Sequence, residues 1–297
     1  MTRRIPPGLI WVAPALSVLA ALSIYPLLYL MKVSLTDAHG FTIAHYARLF
    51  QDRLFSVAAG QTLLYAAVAL TLEFFLGLTL ALLVDSLARG RALIRVGLLA
   101  PMLLPPVVAA VIWRLIYNPE FGVLNGMLRQ LGVNTTSLTW TSGRTSAMLS
   151  VILVDVWQWT PFMFLLLTAG LQAIPAEPLE AARVDGAGYW QTLRDVILPL
   201  LKPVILLALL LRSMDLLRIF DQIFLLTQGG PGSATETVSL YIYRTAFRFS
   251  NFGYAAAMSF VGLLITMLAA RGLLRLTVAV PAEPPCVSMR TDVIKLS

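Results

Sequence analysis

The sequence predicts an all-α, polytopic membrane protein with six transmembrane helices and both termini cytoplasmic. Three observations carry this expectation. Of 297 residues, 58% are hydrophobic and only 12% charged, with a mean hydropathy of +0.81, whereas soluble domains carry about 25% charged residues. The apolar residues gather into runs long enough to cross a bilayer, which takes about 20 residues. Basic residues are divided unevenly between alternate connecting segments, the bias that sets orientation in a membrane.

The runs follow one another in order. Residues 9–30 begin like a signal peptide, but the apolar stretch is too long and no small-residue cleavage site follows. An uncleaved first span is expected there, kinked at Pro14 and Pro26. Residues 34–59 are mixed and read as an external loop with a short amphipathic piece near Tyr46 to Phe55. The second span, 60–84, carries Glu73, and the short segment after it carries Arg89, Arg91 and Arg95. The third, 92–117, is interrupted by Pro101, Pro105 and Pro106. An external loop rich in Gly, Asn, Ser and Thr leads to the fourth, 146–173. A charged stretch at 177–203 precedes the fifth span, 204–227, which Gly229, Gly230 and Pro231 end. The sixth is 252–273. Residues 1–276 read as one membrane domain, and 277–297, with Pro281, Pro284 and Pro285, as a disordered cytoplasmic tail.

Twelve Lys and Arg fall in segments assigned to the inside and seven outside, with three of the 22 inside spans. The bias places both termini in the cytoplasm. It also accounts for the net charge of +7 without nucleic acid, which is not an expected partner. Cys286 is the single cysteine, so no internal disulfide or cysteine-rich metal site is expected. His39 and His45 are six residues apart with no third ligand nearby and read as surface residues. No metal site is expected.

Charges within spans are costly and mark function or compensated pairing. Glu73, Asp155, Arg212, Asp215, Arg218 and Asp221 are of this kind. Arg212, Asp215, Arg218 and Asp221 alternate in sign every three residues, so they could form a self-neutralising ladder along one helix. The other reading is a helix lining a polar pathway, with Asp215 near mid-span. On the fourth span, Asp155, Trp157, Gln158 and Trp159 form a second polar cluster. A carboxylate beside aromatic rings suits a sugar, because it accepts hydroxyl hydrogen bonds while the rings cover the apolar C–H face. Packing of aromatics against a neighbouring helix is the plainer alternative. Gly77 with Ala81, and Gly253 with Ala257, have the spacing of close helix packing.

The stretch 177–203 predicts two short helices around a reversal. Pro178 suits a first turn, Ala181 and Ala182 propagate a helix, and Gly186 and Gly188 permit a sharp turn. The second helix is expected from Tyr189 to Leu198, meeting Pro199. Either an ordinary solvated loop or a docking hairpin could have this pattern. Glu180-Ala181-Ala182, Asp185-Gly186, then Val196, Leu198 and Pro199 resemble the EAA motif of ABC-importer permeases, departing only in Val196 where isoleucine is usual. Residues 220–247, 253–259 and 118–125, with Ala13 to Leu16 and Ile24 to Pro26, resemble the carbohydrate branch of that family, the permeases for maltose, glycerol-phosphate and polyols.

The resemblance implies a type I ABC-importer transmembrane domain in the plasma (inner) membrane of a bacterium or archaeon. It implies a second homologous permease subunit, two ATPase subunits and an extracytoplasmic solute-binding protein as partners, in a lipid bilayer. Glu180, Ala181, Ala182, Asp185, Gly186, Leu198 and Pro199 would form the coupling helix that docks into the ATPase. By the same resemblance the helix carrying Asp155 to Trp159 is the one that contacts sugar in the maltose permeases. The solute would be a sugar or polyol. The chain lacks a phosphate-binding GxxxxGK[ST] loop. It is therefore not expected to be an enzyme or to hold a cofactor, with ATP and Mg on the partner subunits. Two other readings stay open: a proton-coupled secondary transporter relaying through Glu73, Asp155 and Asp215, and an ABC permease for a non-sugar solute.

Overall fold

The computed structural model describes residues 7–37, 40–87, 89–135 and 139–278. The chain is helical apart from a two-residue antiparallel pair, β1 (Thr36–Asp37) with β2 (Gly40–Phe41). The helices are α1 (Pro7–Ser34), α2 (Ala44–Gln51), α3 (Arg53–Ser86), α4 (Arg91–Leu99, continued by a 3-10 turn at Ala100–Leu103), α5 (Pro106–Ile116), α6 (Val123–Gln130), α7 (Arg144–Gln172) and α8 (Ala176–Val184). They continue with α9 (Tyr189–Leu216), α10 (Asp221–Leu226), α11 (Val238–Tyr243, continued by a π turn at Arg244–Arg248) and α12 (Phe252–Val278). Among the described residues, five helices are long and apolar enough to cross a membrane, or six if α4 and α5 count as one bent crossing. Residues 279–297, with Cys286, and residues 1–6 and His39 lie outside the described residues.

The molecule is built around α7, which packs most extensively on α3. Tyr65, Ala69, Glu73, Gly77 and Ala81 follow one another every four residues along α3, and all are buried. This spacing lines one helix face, and the small members let α7 approach. A Cβ on Gly77 would lie 2.6 Å from Met163 Cβ and 3.0 Å from Phe164 N, so only glycine fits there. Gly253 makes its close approach to the ring of His45 on α2, so His45 is half-buried and not a surface residue. In contrast, α1 is unburied through its apolar window and packs mainly along α12.

Several element boundaries differ from the sequence expectation. Helix α3 begins at Arg53, seven residues before the apolar run, because Asp52 caps it: Leu54 N and Phe55 N donate to Asp52 Oδ1 at 2.8 and 3.2 Å. The same carboxylate accepts from Tyr241 and Tyr254 through Oδ2, each at 2.6 Å, which ties the start of α3 to α11 and α12. The segment expected as a polar external loop after α5 contains α6, and Trp140 Nε1 donates to Asn125 Oδ1 at 2.8 Å to hold it in place.

The third expected span is not one rod. Its halves, 91–103 and 106–116, meet at 92° around Pro105. The fifth expected span also differs: α9 starts fifteen residues early, at Tyr189, and stops at Leu216, with α10 starting only at Asp221. Pro199 and Pro203 therefore lie within α9 and do not end a helix. A π turn at Leu193–Ile197 precedes Pro199, and Leu198 N–H reaches back to Leu193 O. The carbonyls released by the missing proline donor lie at the exposed residues Arg194 and Asp195, where solvent can satisfy them.

Candidate functional site

Irregular backbone at membrane depth is tolerated where it is buried in protein or lines a cavity. Both broken segments obey this. The breaks at Leu104–Pro105 and at 217–220 meet at one cleft of about 380 Å³, walled by Pro106, Trp159, Arg212, Asp215, Arg218, Ile219, Phe220, Asp221 and Gln222. The second break contains no Gly or Pro. It is held by aromatic packing instead: Phe220 stacks on Phe224 at 5.2 Å and contacts Tyr243 at 5.2 Å between ring centres.

Behind the cleft is a buried ionic triad. Arg212 Nε donates to Glu73 Oε2 at 2.7 Å and Arg212 Nη2 to Glu73 Oε1 at 2.9 Å, a bidentate pair, and Nη2 also donates to Asp155 Oδ2. Glu73 and Asp155 are fully buried and Arg212 is 2% exposed. The triad joins α3, α7 and α9. It replaces the ladder expected along the fifth span: Arg212 turns away from Asp215, so only Asp215 and Arg218 pair, at 3.4 Å and half exposed. Asp221 begins α10 after the break and makes no ion pair among the described residues. Spacing alone favoured neighbours three apart. Desolvation decided otherwise, because a buried carboxylate needs the guanidinium more than an exposed one does.

The cluster on α7 separates into four roles. Trp159 lies on the cleft wall with its ring 4.9 Å from Arg212 Cζ, a cation–π contact. Asp155, one turn earlier, sits behind Arg212. Trp157 points to the other side, against Trp113 at 5.5 Å, and lines a second, apolar cleft of about 460 Å³ between α3, α4 and α7. Gln158 is fully buried. Its Nε2 donates to Leu104 O at 2.8 Å at the first break, and its Oε1 accepts from Gln222 Nε2 at 2.8 Å. Gln222 Oε1 in turn accepts from Tyr65 O–H at 3.3 Å. This amide chain satisfies the carbonyl that the break leaves open. Tyr65 and Gln222 were not singled out from the sequence; the four-residue stripe on α3 that carries Tyr65 was the available signal for the first.

The charged stretch forms a hairpin far along α9 from the cleft. Gly186 has φ +75°. Ala187 N donates to Ala182 O at 2.9 Å and Gly186 N to Arg183 O at 3.1 Å, a Schellman closure that needs a left-handed residue at this position. Gly188 is extended and starts α9. Ala182 is buried where α8 meets the π turn. Glu180, Ala181, Asp185 and Pro199 are exposed and Leu198 is half-buried. At the hairpin tip Val184 is 88% exposed, Trp190 77% and Tyr189 63%.

Comparison with known proteins adds three findings. Residues 73–276 match the family model described as binding-protein-dependent transport system inner membrane component. The trehalose/maltose transport system permease protein MalF of Thermococcus litoralis is 36% identical over 267 residues, covering 88% of this chain and 90% of that one. The trehalose transport system permease protein SugA of Mycobacterium tuberculosis is 37% identical over 256 residues, covering 84% and 81%. Among solved structures, a chain of a bacterial alginate ABC transporter, in complex with an alginate pentasaccharide-bound periplasmic protein, superposes with a TM-score of 0.80 at 22% identity, covering 91% of this chain and 94% of that one. The fold is therefore that of an ABC-importer transmembrane domain.

Proposed function

This chain belongs to the family of binding-protein-dependent transport system inner membrane components, and from that premise we propose that it forms half of the translocation path of an ATP-driven sugar importer. It would pair with a second, similar permease and dock on two ATPase subunits, with an extracytoplasmic solute-binding protein delivering the solute. Hydrolysis of ATP, with its Mg, belongs in this reading to the ATPase subunits. The hairpin and both termini face the cytoplasm, and the membrane is the plasma (inner) membrane. The sugar assignment is supported by the relatives whose names state trehalose and maltose, and by a cleft whose lining includes Trp159 together with Asp215 and Asp221.

The observation that carries the mechanism is the continuity of α9. One helix of 28 residues starts at the exposed hairpin and ends at the cleft with Arg212 and Asp215. At 1.5 Å per residue it is a strut about 40 Å long. Movement of the Glu180–Gly186 hairpin, held in an ATPase cleft, is then carried to Trp159, Asp155 and Asp215 by rigid elements. The bundle rocks, and the cleft changes the side it faces, which is alternating access. The experiment is ATP-driven uptake by the reconstituted transporter. Glu180→Lys and Gly186→Pro are expected to abolish uptake while the complex still assembles. Normal transport by both variants refutes the coupling role. Uptake driven by a proton gradient without ATPase subunits would move the mechanism to the carboxylates of the triad.

A further inference from the structure

Resting on the importer reading above, we propose that Gln158 and Gln222 are positioning residues: they tie the two broken walls of the cleft into one moving unit, which keeps solute passage in step with ATP hydrolysis. The continuous strut stops at Leu216. From there to Phe220 the chain is irregular, and the backbone ladder that carries a helix's register is lost, as it is at Leu104–Pro105. Movement of α9 therefore reaches α10 and α5 through side-chain links across the breaks. Gln222 is the second residue of α10, directly after the second break. Three hydrogen bonds form one chain through it: Tyr65 O–H on α3 donates to Gln222 Oε1 at 3.3 Å, Gln222 Nε2 donates to Gln158 Oε1 on α7 at 2.8 Å, and Gln158 Nε2 donates to Leu104 O at the first break at 2.8 Å. All three side chains are fully buried. The oxygen and nitrogen of both amides are engaged within the protein, so these residues shape the wall and do not serve as solute ligands. The other link between the breaks is apolar: Ala110 of α5 shares a core with Ile223 and Leu226 of α10. Apolar contact is non-directional and tolerates sliding. A buried hydrogen bond fixes direction and register, because a bond broken there leaves its groups unsatisfied. Glutamine suits the task, since one uncharged head carries a donor and an acceptor and so joins two partners at membrane depth without a charge.

The test is the amount of solute accumulated per ATP hydrolysed by the assembled transporter in proteoliposomes, with its binding protein and radiolabelled trehalose and maltose as probes. Gln158→Met and Gln222→Met keep the side-chain length and remove both donor and acceptor. Each is expected to lower the ratio at least about fivefold while hydrolysis continues. The double variant is expected to fall no further than either single, because the bonds act as one chain. Tyr65→Phe removes one bond only and is expected to lower the ratio less. A purely structural role reduces uptake and hydrolysis together, so an unchanged ratio overturns the proposal. A double variant whose loss is the product of the two single losses also overturns it, since the amides then act independently. If the glutamine variants do not assemble, Tyr65→Phe decides, and a ratio equal to wild type is the overturning result. Wild-type transporter that accumulates neither sugar with ATP and binding protein present overturns the sugar-importer reading itself, an outcome in which the variants play no part.

Discussion

Arg212 draws together two carboxylates from helices 139 and 57 positions away in the chain. A buried ion pair is weak evidence for net stability, but breaking one strands a charge where water cannot reach it. Arg212→Met should therefore destabilise the protein by about 3–5 kcal/mol. Arg212→Lys should recover only part of that, because an ammonium cannot reproduce the two parallel bonds to Glu73. The triple change Glu73→Gln, Asp155→Asn, Arg212→Met should be closer to wild type than Arg212→Met alone. Thermal unfolding of the purified proteins in one detergent ranks the four; a triple variant less stable than Arg212→Met contradicts the stranded-charge account. Asp52 makes a pH prediction. Partial burial alone would raise its carboxyl, but hydrogen bonds from Tyr241, Tyr254 and the backbone of Phe55 and Leu54 outweigh that and hold it below the ordinary value of 3.8. A depressed acid contributes stability that is complete above the ordinary value and lost as pH falls through the lowered one. The stability gap between wild type and Asp52→Asn should thus be flat near neutrality and close in acid. A gap constant down to the acid limit would show that the carboxylate charge is irrelevant to the clamp. At this scale the sequence marked Glu73, Asp155 and Arg212 as costly, yet not their pairing, which needs three helices in place.

At the scale of elements, the hairpin was the most legible part of the chain. Gly186 stands where the spacing of the EAA-like pattern puts it, and its φ of +75° explains the glycine physically. Gly186→Ala adds a Cβ to a left-handed residue, at a cost of about 1–2 kcal/mol. The open space around that position means that the penalty is backbone strain alone. ATP-driven uptake should fall while assembly persists, and Gly186→Asn, which tolerates this conformation, should fall less. Equal loss in both variants would point to a side-chain clash with a partner. The breaks in the third and fifth spans were legible to different degrees. Three prolines announced the first, although nothing local sets its 92° bend; Gln158 does so from another helix. The second break has no Gly or Pro to announce it; Arg218 marks Leu217 to Phe220 as polar but does not say that the helix stops there. Aromatic packing among Phe220, Phe224 and Tyr243 breaks it.

Across the whole molecule, a tightly packed centre of α3, α7 and α9 carries the cleft, while the hairpin tip and α1 leave apolar surface uncovered. The tip predicts a contact. With Cys286→Ser as background, Val184→Cys should form a disulfide or short cross-link with a cysteine placed in the docking cleft of an ATPase subunit, and a cysteine on the unburied face of α1, such as Trp11→Cys, should not. Cross-linking through α1 with none through Val184 would place the ATPase on the wrong surface for the proposed coupling.

By itself the sequence determined that the chain is a bundle of membrane helices, which segments are polar enough to stay in water, and which family signature the hairpin bears. These follow from composition and short-range spacing, where each residue's own transfer energy and backbone preference decide. Only the tertiary structure decided which charges pair, that α9 runs unbroken from hairpin to cleft, and where the fifth span stops. Those outcomes depend on how strongly distant groups compete for the same partner once water is excluded, and neither spacing along one helix nor the hydropathy of one run contains that competition.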